Sequence, residues 1–525
     1  MKILSAAELN QVDSRTTSRY RIRGVTLMEN AGRSVAEFIQ SRFSNLARRR
    51  IVVLCGKGNN GGDGFVVARY LLKTRVKPSV YFVGDPRDAK GDAATNLKRW
   101  KKLGKLVVDR GNGAGGWVPL SSDVIVVDAM LGTGVRGPVE GRLREVIASI
   151  NGREAGCTVV SVDIPSGLHA DTGEVQGAAI VADYTITFTA PKRAMILAEG
   201  CRHVGGLFVR QVGSPPALVE ETGKGNLRWS EPSEFGAFAI PRKTAGNKGD
   251  YGHALVVASS VGKSGAAVLS SWSALRVGAG LVTVATPAPA LPLVAAQTPE
   301  VMTEPLAATT SGTVSARCLE GGFFASLLKG KRALAIGPGL STQAETQQFV
   351  RTVLGNRSVP IILDADGLNA FAGRASELKH ADGMLCVTPH PGEMARLVGC
   401  TVKEVQARRV EIAMRAAADW NAIVILKGSG TVVAAANGSA FINSTGNPGM
   451  ATGGTGDVLT GMLAGLTAQY GTADWQRLLA FGVYLHGLAG DIAYAESGEA
   501  PLMASDLIHA IPRAYRQFYS ECGRG

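Results

Sequence analysis

The sequence predicts an α/β protein of two domains, each with a parallel sheet at its centre. Three features carry that expectation. Short, nearly continuous apolar runs alternate with longer amphipathic stretches, the pattern of strands buried on both faces and linked by helices. The chain has 525 residues, too many for one ordinary domain of about 100–200 residues. And 66 of them are Gly, nearly twice the usual share of about 7%, gathered where apolar runs end.

In the first half the strand candidates are Ile51–Cys55, Val80–Val83, Val124–Asp128, Thr158–Asp163 and Tyr184–Phe188, with helical patterns at Gly64–Lys73, Asp92–Leu103 and Leu143–Ile150 between them. The alternation lapses over Gly213–Pro241, which is rich in Pro, Gly and charge and reads as a linker. It resumes with His253–Ala258, Leu281–Thr286, Ala333–Ile336, Ile361–Leu363, Met384–Val387 and Ile423–Leu426. A hairpin follows, Thr431–Ala435 and Ser439–Ile442, turned through Asn437-Gly438. The expected domains are 1–213 and 241–525, with 214–240 between them.

Composition narrows the function classes. With 45% hydrophobic and 19% charged residues the chain holds too much core-forming material for disorder. Its apolar stretches are interrupted before the ~20 residues of a membrane helix, and the start lacks a secretion signal. Seven scattered Cys without a CxxC pair argue against a disulfide framework or a zinc site. The cytoplasm is the expected compartment. A net charge of +13 suits anionic partners, yet Arg48-Arg49-Arg50 and the Lys98–Lys102 cluster lack nucleic-acid signatures. Small anionic substrates are expected, with neither nucleic acid nor membrane.

The chemistry sits at strand ends. Ile51–Cys55 runs into GKGNNGGDG (Gly56–Gly64), a Gly-rich turn that would offer backbone N–H groups and a helix N-terminus to an anion. Its spacing is neither a Walker loop nor GxGxxG. Val124–Val127 ends in Asp128 and continues as AMLGTGVRGP; Thr158–Val162 ends in Asp163 and continues as IPSGL. A lone Asp after a strand is usually a turn former, but one sheet brings all three ends to one edge. There Asn60, Asp128 and Ser166 can supply oxygens to a hard cation, and Asp163 is the best-placed carboxylate for proton transfer.

In the second half VASSVGKSGAA (Val257–Ala267) imitates a P-loop tail, but Val257 stands where its first Gly is required. The stronger signal is NSTGNPGMATGGTGDVLTGMLAGL (Asn443–Leu466), where Gly446, Gly449, Gly453, Gly454 and Gly456 precede a helix beginning near Asp457. Such a turn forms an anion hole reinforced by the helix dipole. Asp457 is then placed to deprotonate a hydroxyl while N–H groups hold phosphoryl oxygens; as a plain alternative it is a helix cap. IGPGLS (Ile336–Ser341), TPHPGEMARL with His390 and Glu393, and ILKGSGTVV with Lys427 converge on the same sheet edge. Singly, His390 reads as a turn residue and Lys427 as a solvated charge.

GKGNNGGDG, DAMLGTG and VDIPSGL together resemble the NAD(P)HX epimerase (YjeF N-terminal) domain over roughly the first 210 residues. That resemblance implies a Rossmann-like fold binding hydrated NAD(P)H. It implies substrate contacts at Asn59, Asn60, Gly61, Gly62 and Asp63, at Gly132, Thr133, Gly134, Val135, Arg136, Gly137 and Pro138, and at Asp163. It implies K+ at Asn60, Asp128 and Ser166. KGDYGHALVV, TPHPGEMARL, KGSGT, GNPGMATGGTGD and HGLAGD resemble the ADP/ATP-dependent NAD(P)HX dehydratase family from about Pro241 to Ala510. This second resemblance implies a ribokinase-like fold, substrate contacts at Ala266, Gly339, His390 and Asp457, and nucleotide contacts at Lys427, Gly428, Ser429, Gly430, Thr431 and Gly456. Ser341 stands where that family commonly carries Gly.

The combined expectation is a bifunctional isomerase and lyase of metabolite repair, with Asp163 and Asp457 catalytic, K+ at the first site, and Mg2+ with ADP or ATP at the second. Homo-oligomers are expected from the second fold. Two alternatives stay open: a vitamin or sugar-alcohol kinase in the second half, and a non-catalytic binding module in the first.

Overall fold

A computed structural model describes all residues except 110–119, 136, 197–199, 357, 380–382, 472–473 and 524–525. The chain divides into two compact units, Met1–Gly225 and Asn226–Gly525.

The strands of the first unit are β1 (Arg50–Cys55), β2 (Ser79–Val83), β3 (Leu106–Asp109), β4 (Val124–Ala129), β5 (Thr158–Val162), β6 (Tyr184–Phe188) and β7 (Gly206–Arg210). Their order is β3-β2-β1-β4-β5-β6-β7, with every neighbouring pair parallel. This is the doubly wound order, whose direction reverses between β1 and β4 and opens a crevice at their carboxyl ends. The helices are α1 (Ala6–Tyr20), α2 (Gly24–Arg42), α3 (Asn59–Lys73), α4 (Gly91–Lys101), α5 (Gly141–Asn151), α6 (Cys201–Val204) and α7 (Pro216–Thr222). Alternate strand residues feed opposite faces. Val53, Ile125 and Val127 pack with Val35, Phe65 and Leu71 of α2 and α3, while Val52, Leu54 and Val126 pack with Val146, Ile147 and Ile150 of α5.

The second unit contains β8 (Leu227–Trp229), β9 (His253–Val257), β10 (Leu281–Pro287), β11 (Met302–Leu306), β12 (Ala333–Ile336), β13 (Ile361–Leu363), β14 (Leu385–Val387), β15 (Ile423–Leu426), β16 (Val432–Ala434) and β17 (Ala440–Ile442). They form one sheet in the order β11-β10-β9-β12-β13-β14-β15-β16-β17-β8. The sheet is parallel from β11 to β15, and the expected hairpin supplies antiparallel β16 and β17. Its helices are α8 (Ser264–Arg276), α9 (Leu291–Ala295), α10 (Phe323–Leu328), α11 (Ala344–Gly355), α12 (Asp366–Asn369), α13 (Pro391–Val398), α14 (Val402–Ala407), α15 (Arg409–Trp420), α16 (Thr455–Tyr470), α17 (Trp475–Ser497) and α18 (Ala504–Glu521). α17 is long and apolar enough to cross a membrane, but it is mostly buried and supplies Leu478, Phe481 and Leu485 to the core.

Two expectations are corrected. Residues 214–240 are structured rather than a linker. Leu218 and Val219 of α7 pack with Leu9 and Val12 of α1, β8 extends the second sheet beside β17, and Phe235 and Phe238 enter the second core. Single aromatic anchors and a three-residue strand leave no periodicity to read. Second, α3 begins at Asn59 rather than Gly64, so NNGGDG forms its first turns. Gly61 and Gly62 are there because the helix lies against backbone and side chains: a Cβ on Gly61 would stand 1.9 Å from Gly56 O, and one on Gly62 would stand 2.6 Å from Met28 Sδ. Gly61→Ala should therefore destabilise the first unit by about 1–3 kcal/mol through overpacking; thermal melting of the full chain checks this, and an unchanged first transition would remove the packing explanation.

Candidate active sites

The first site occupies the crevice between β1 and β4. A cavity of about 640 Å3 is lined from the turn after β1 by Gly58, Asn59 and Asn60, and from the turn after β4 by Gly132, Thr133, Gly134 and Val135. Asp63, Asp163, Thr189 and Lys192 complete its polar wall. Gly61, Gly62, Gly137 and Pro138 are not in the lining, and Arg136 lies outside the described residues.

Asp163 follows β5 in a left-handed conformation, φ 65°, as does Thr189 after β6, φ 66°. Such backbone is strained for a side-chain-bearing residue and persists only where its surroundings enforce it. The Lys192 ammonium anchors the Asp163 side chain: it pairs with Asp163 Oδ1 and donates to Thr187 Oγ1 at 2.6 Å, with the lysine side chain only 2% exposed. Burial, then the Asp163 charge, lifts the Asp63 carboxyl well above the ordinary range. Lys192 was not anticipated. It follows β6 through Ala190-Pro191, a strand-end position like those of Asp128 and Asp163.

Asn60, Asp128 and Ser166 meet around Leu131. Asp128 is fully buried and accepts from Ser161 Oγ (2.8 Å), Ser166 N (2.9 Å), Ser166 Oγ and Met130 N. Burial raises its carboxyl, and the hydrogen bonds from Ser166 and Ser161 pull the other way. Asn60 Nδ2 donates to Leu131 O at 2.7 Å, whereas its Oδ1 is buried with no partner among the described residues. A buried carboxylate beside an orphaned amide oxygen fits a monovalent cation.

The second site lies beyond β9 and β12, where the other sheet reverses its order. Its cavity of about 510 Å3 is lined by Gly262, Lys263, Ala266, Gly339, Ala365, Asp366, Glu393, Gly453, Gly454 and Asp457, among others. α16 starts after Gly454 in a left-handed conformation, φ 91°, with no side-chain cap. Asp457 is the third residue of that helix and accepts no hydrogen bond from another described residue, so the capping alternative fails. Burial and then the Asp364 charge push its carboxyl up to about 6, against the pull of Lys427.

Lys427 is not a solvated charge. Its ammonium meets Asp364 Oδ1 at 2.7 Å and Glu393 Oε2 at 4.0 Å. Asp364 also accepts from Thr388 Oγ1 (2.7 Å) and Thr460 Oγ1 (2.6 Å). Burial alone would raise the Asp364 carboxyl; Lys427 and the two hydroxyls outweigh it and hold it below its ordinary value. The lysine is thus anchored at the sheet edge beside the exposed turn residues Gly428 and Ser429. Thr431 Oγ1 braces that turn by donating to Gly428 O at 2.8 Å, and the Arg409 guanidinium donates to Leu426 O and Lys427 O. Gly456 lies so close that a Cβ there would stand 3.5 Å from Lys427 Nζ.

His390 caps α13, its Nδ1 accepting from Gly392 N and Glu393 N. It is absent from the cavity lining, where Glu393 appears instead. Burial, then Lys427, lowers the His390 pKa; burial, helped by the Asp364 charge and opposed by Lys427, raises that of Glu393. Ser341 keeps the left-handed turn that Gly would favour, φ 78°, and its N–H donates to Asp366 Oδ2 at 2.8 Å. HGLAGD on α17 fixes the glycine loop: Asp491 accepts from Gly446 N and Asn447 Nδ2, both at 2.9 Å, and His486 Nε2 donates to Thr455 O at 3.0 Å. Burial pushes the His486 pKa down to about 4, which keeps the ring neutral. Asp364 was not anticipated, although ILDADG carries the same strand-end Asp as β4 and β5.

A dinucleotide-sized crevice on a doubly wound sheet, joined in one chain to an uncapped glycine-rich helix start facing buried acid–base groups, defines a two-domain α/β enzyme of nucleotide chemistry. Residues 24–194 match the family described as YjeF-related protein N-terminus, and residues 254–513 match NAD(P)H-hydrate dehydratase. The bifunctional NAD(P)H-hydrate repair enzyme Nnr of Moorella thermoacetica is 42% identical over 99% of this chain and 98% of its own. That of Thermofilum pendens is 40% identical over 98% and 96%. The chain belongs to the family of bifunctional NAD(P)H-hydrate repair enzymes. It is also similar to the solved ADP/ATP-dependent NAD(P)H-hydrate dehydratase from Bacillus subtilis co-crystallized with ATP/Mg2+, at 34% identity, covering 56% of this chain and 99% of that one, TM-score 0.49.

Lys427→Met would leave Asp364, 1% exposed, as an uncompensated buried charge. The second unit should lose about 3–5 kcal/mol, read from urea unfolding at neutral pH. Because Asp364 is depressed by Lys427, that pair's stabilisation is present above the ordinary carboxylate pKa and lost as pH falls through the lower folded value. The wild-type and variant curves should therefore converge only in acid.

Proposed function

We propose that the first unit interconverts the R and S epimers of NAD(P)HX, and that the second dehydrates the S epimer at the expense of ADP or ATP. The observation that carries the second assignment is Asp457: a carboxyl pushed up to about 6, free of hydrogen bonds from other described residues, at the open start of α16. NAD(P)HX bears a hydroxyl at C6 of the reduced nicotinamide ring, and hydroxide leaves poorly. Asp457 takes the hydroxyl proton as the oxygen attacks the terminal phosphoryl group of the nucleotide, whose oxygens face the N–H groups of α16. The phosphate ester then departs as the ring nitrogen pushes electrons toward C6, and loss of a C5 proton gives NAD(P)H. Ala266, Gly339 and His390 are assigned to the substrate, and Lys427 to Thr431 with Gly456 to the nucleotide. Mg2+ would sit on the nucleotide phosphates, with Glu393 as an oxygen donor on the protein side, and would neutralise charge during transfer.

In the first unit Asp163, paired with the Lys192 ammonium, is the proton-transfer residue. Asn60, Asp128 and Ser166 would hold K+, which balances the buried Asp128 charge; Asn60 Oδ1 supports this reading. Self-association, expected of the second fold, remains part of the proposal.

Asp457→Asn should abolish nucleotide-dependent loss of the hydrate while epimer exchange continues, both followed chromatographically. Dehydration at the normal rate would remove Asp457 as the base, and accumulation of a stable phosphorylated product would favour the kinase reading. In the unsubstituted chain the dehydration rate should rise with pH through about 6, as Asp457 ionises. Replacing K+ by tetramethylammonium should slow exchange and leave dehydration unchanged; Asn60→Leu should remove that cation dependence.

A further inference from the structure

The family match to the first unit begins at residue 24, after α1, yet α1 forms one wall of the first cavity through Leu9, Asn10, Asp13, Ser14 and Thr17. The helix is built in from three directions. A capping box between Ser5 and Glu8 fixes its start, where Ala6 N also donates to Asp171 Oδ1 at 2.7 Å. Leu9 and Val12 bury its back against Leu218 and Val219 of α7, with Arg15 donating to Thr222 Oγ1 at 3.2 Å and Arg19 pairing with Glu221. Leu4, just before the Ser5 cap, bridges the backbone on both sides of the buried lysine: Leu4 N donates to Pro191 O at 3.0 Å and Arg193 N to Leu4 O at 3.1 Å. One segment therefore positions both the Lys192 ammonium and the Asp13 side chain.

Asp13 faces the cavity with a carboxyl that accepts no hydrogen bond from another described residue. The charged groups around it are Asp163 and Lys192, with Asp63 within electrostatic reach; Lys57 and Asp92 line the same cavity. Epimerisation at C6 needs two proton-handling groups. When a base removes the C6 hydroxyl proton, the C6–N1 bond breaks, C6 becomes an aldehyde carbon, and the electron pair moves to N1, which must be protonated. Rotation about C5–C6 and reversal of both transfers close the ring on the opposite face. Protons and electrons balance with no oxidant or reductant. A single carboxylate ion-paired to lysine would have to carry the hydroxyl proton across to N1, whereas a second, already protonated carboxyl supplies N1 while the first takes the hydroxyl proton.

We propose that Asp13 is the second catalytic residue of the epimerase site, the acid that protonates the ring nitrogen on opening and recovers that proton on closure. This rests on the epimerase reading of the first unit. Its environment agrees: Asp13 keeps solvent exposure on the cavity wall, yet partial desolvation there, then the Asp163 charge, pushes its carboxyl up to about 6, while Lys192 is ion-paired to Asp163. A carboxyl with a raised pKa facing a carboxyl ion-paired to lysine can divide the work of acid and base.

The test uses the full chain with purified R-NADHX and follows its conversion to S above the uncatalysed rate. Asp13→Asn should lower kcat by roughly 10²-fold or more with KM little changed. It should also remove the fall in rate that the unsubstituted enzyme shows as pH rises through about 6. Asp13→Glu should restore part of the rate. Nucleotide-dependent dehydration by the same variants, which Asp13 does not touch, should stay at the unsubstituted level and reports that the chain is folded. An Asp13→Asn enzyme with unchanged kcat and pH profile would overturn the proposal. So would a raised KM with kcat preserved, which is the signature of a wall residue. If both variants lose the first unit's thermal transition, Ser14→Ala and Asn10→Ala decide: exchange lost equally in these would assign α1 a structural role and also overturn the proposal. Absence of exchange in the unsubstituted chain would instead overturn the epimerase assignment itself, and this inference with it.

Discussion

In each unit a lysine ammonium nearly removed from water is clamped to an aspartate at a strand end. Lys192 holds Asp163 and Lys427 holds Asp364. Desolvating two charges costs free energy that a surface pair would never spend, and such pairs are poor stabilisers compared with apolar packing. What they supply is position and charge state. Lys192 anchors the Asp163 carboxylate in a cavity that also carries Asp63. Lys427 neutralises Asp364, but its remaining field does not overcome the burial of Asp457, which stays poised between its two protonation states. In each unit the carboxyl groups that face the cavity thus stand in or beside a buried lysine–aspartate pair.

The parallel sheets make this possible. All strands of the first sheet, and all but β16 of the second, point the same way, so the loops that leave their carboxyl ends reach the same edge, and the reversal of strand order opens a crevice there. Strained backbone gathers at these edges: Asp163 and Thr189 in one unit, Ser341 and Ala365 in the other, each with positive φ. Each strained residue lines its cavity or hydrogen-bonds to a residue that does. The glycines divide into two groups. Some, such as Gly454, supply the conformation that leaves a helix start uncapped; others, such as Gly61, let a helix lie against backbone.

Much of this was legible in the sequence because it is local. Asp128, Asp163 and Ser166 follow apolar runs, and the glycine run before Asp457 announces an anion-binding helix start; the structure brings these residues to the edges their strands predicted. Asp364 carried the same strand-end signature and was passed over beside the louder glycine loop. Lys192 and Asp13 were not legible: their meeting depends on α1 folding across the sheet and on Leu4 pairing beside Pro191, contacts separated by nearly the whole first unit. NNGGDG misled because glycines in the first turns of a helix read as a loop. The linker misled because short elements held by single aromatics have no period.

The central claim is that two chemistries in one chain act in sequence on one damaged cofactor. Its most direct measurement is the fraction of an equal R/S NADHX mixture that returns to NADH, followed by absorbance with ADP, with ATP and with neither. The account predicts no recovery without nucleotide. With nucleotide it predicts complete recovery, in which the R epimer drains through the S form faster than uncatalysed exchange allows. Recovery that halts when the S epimer is spent, with the rest returning only at the uncatalysed rate, would contradict it.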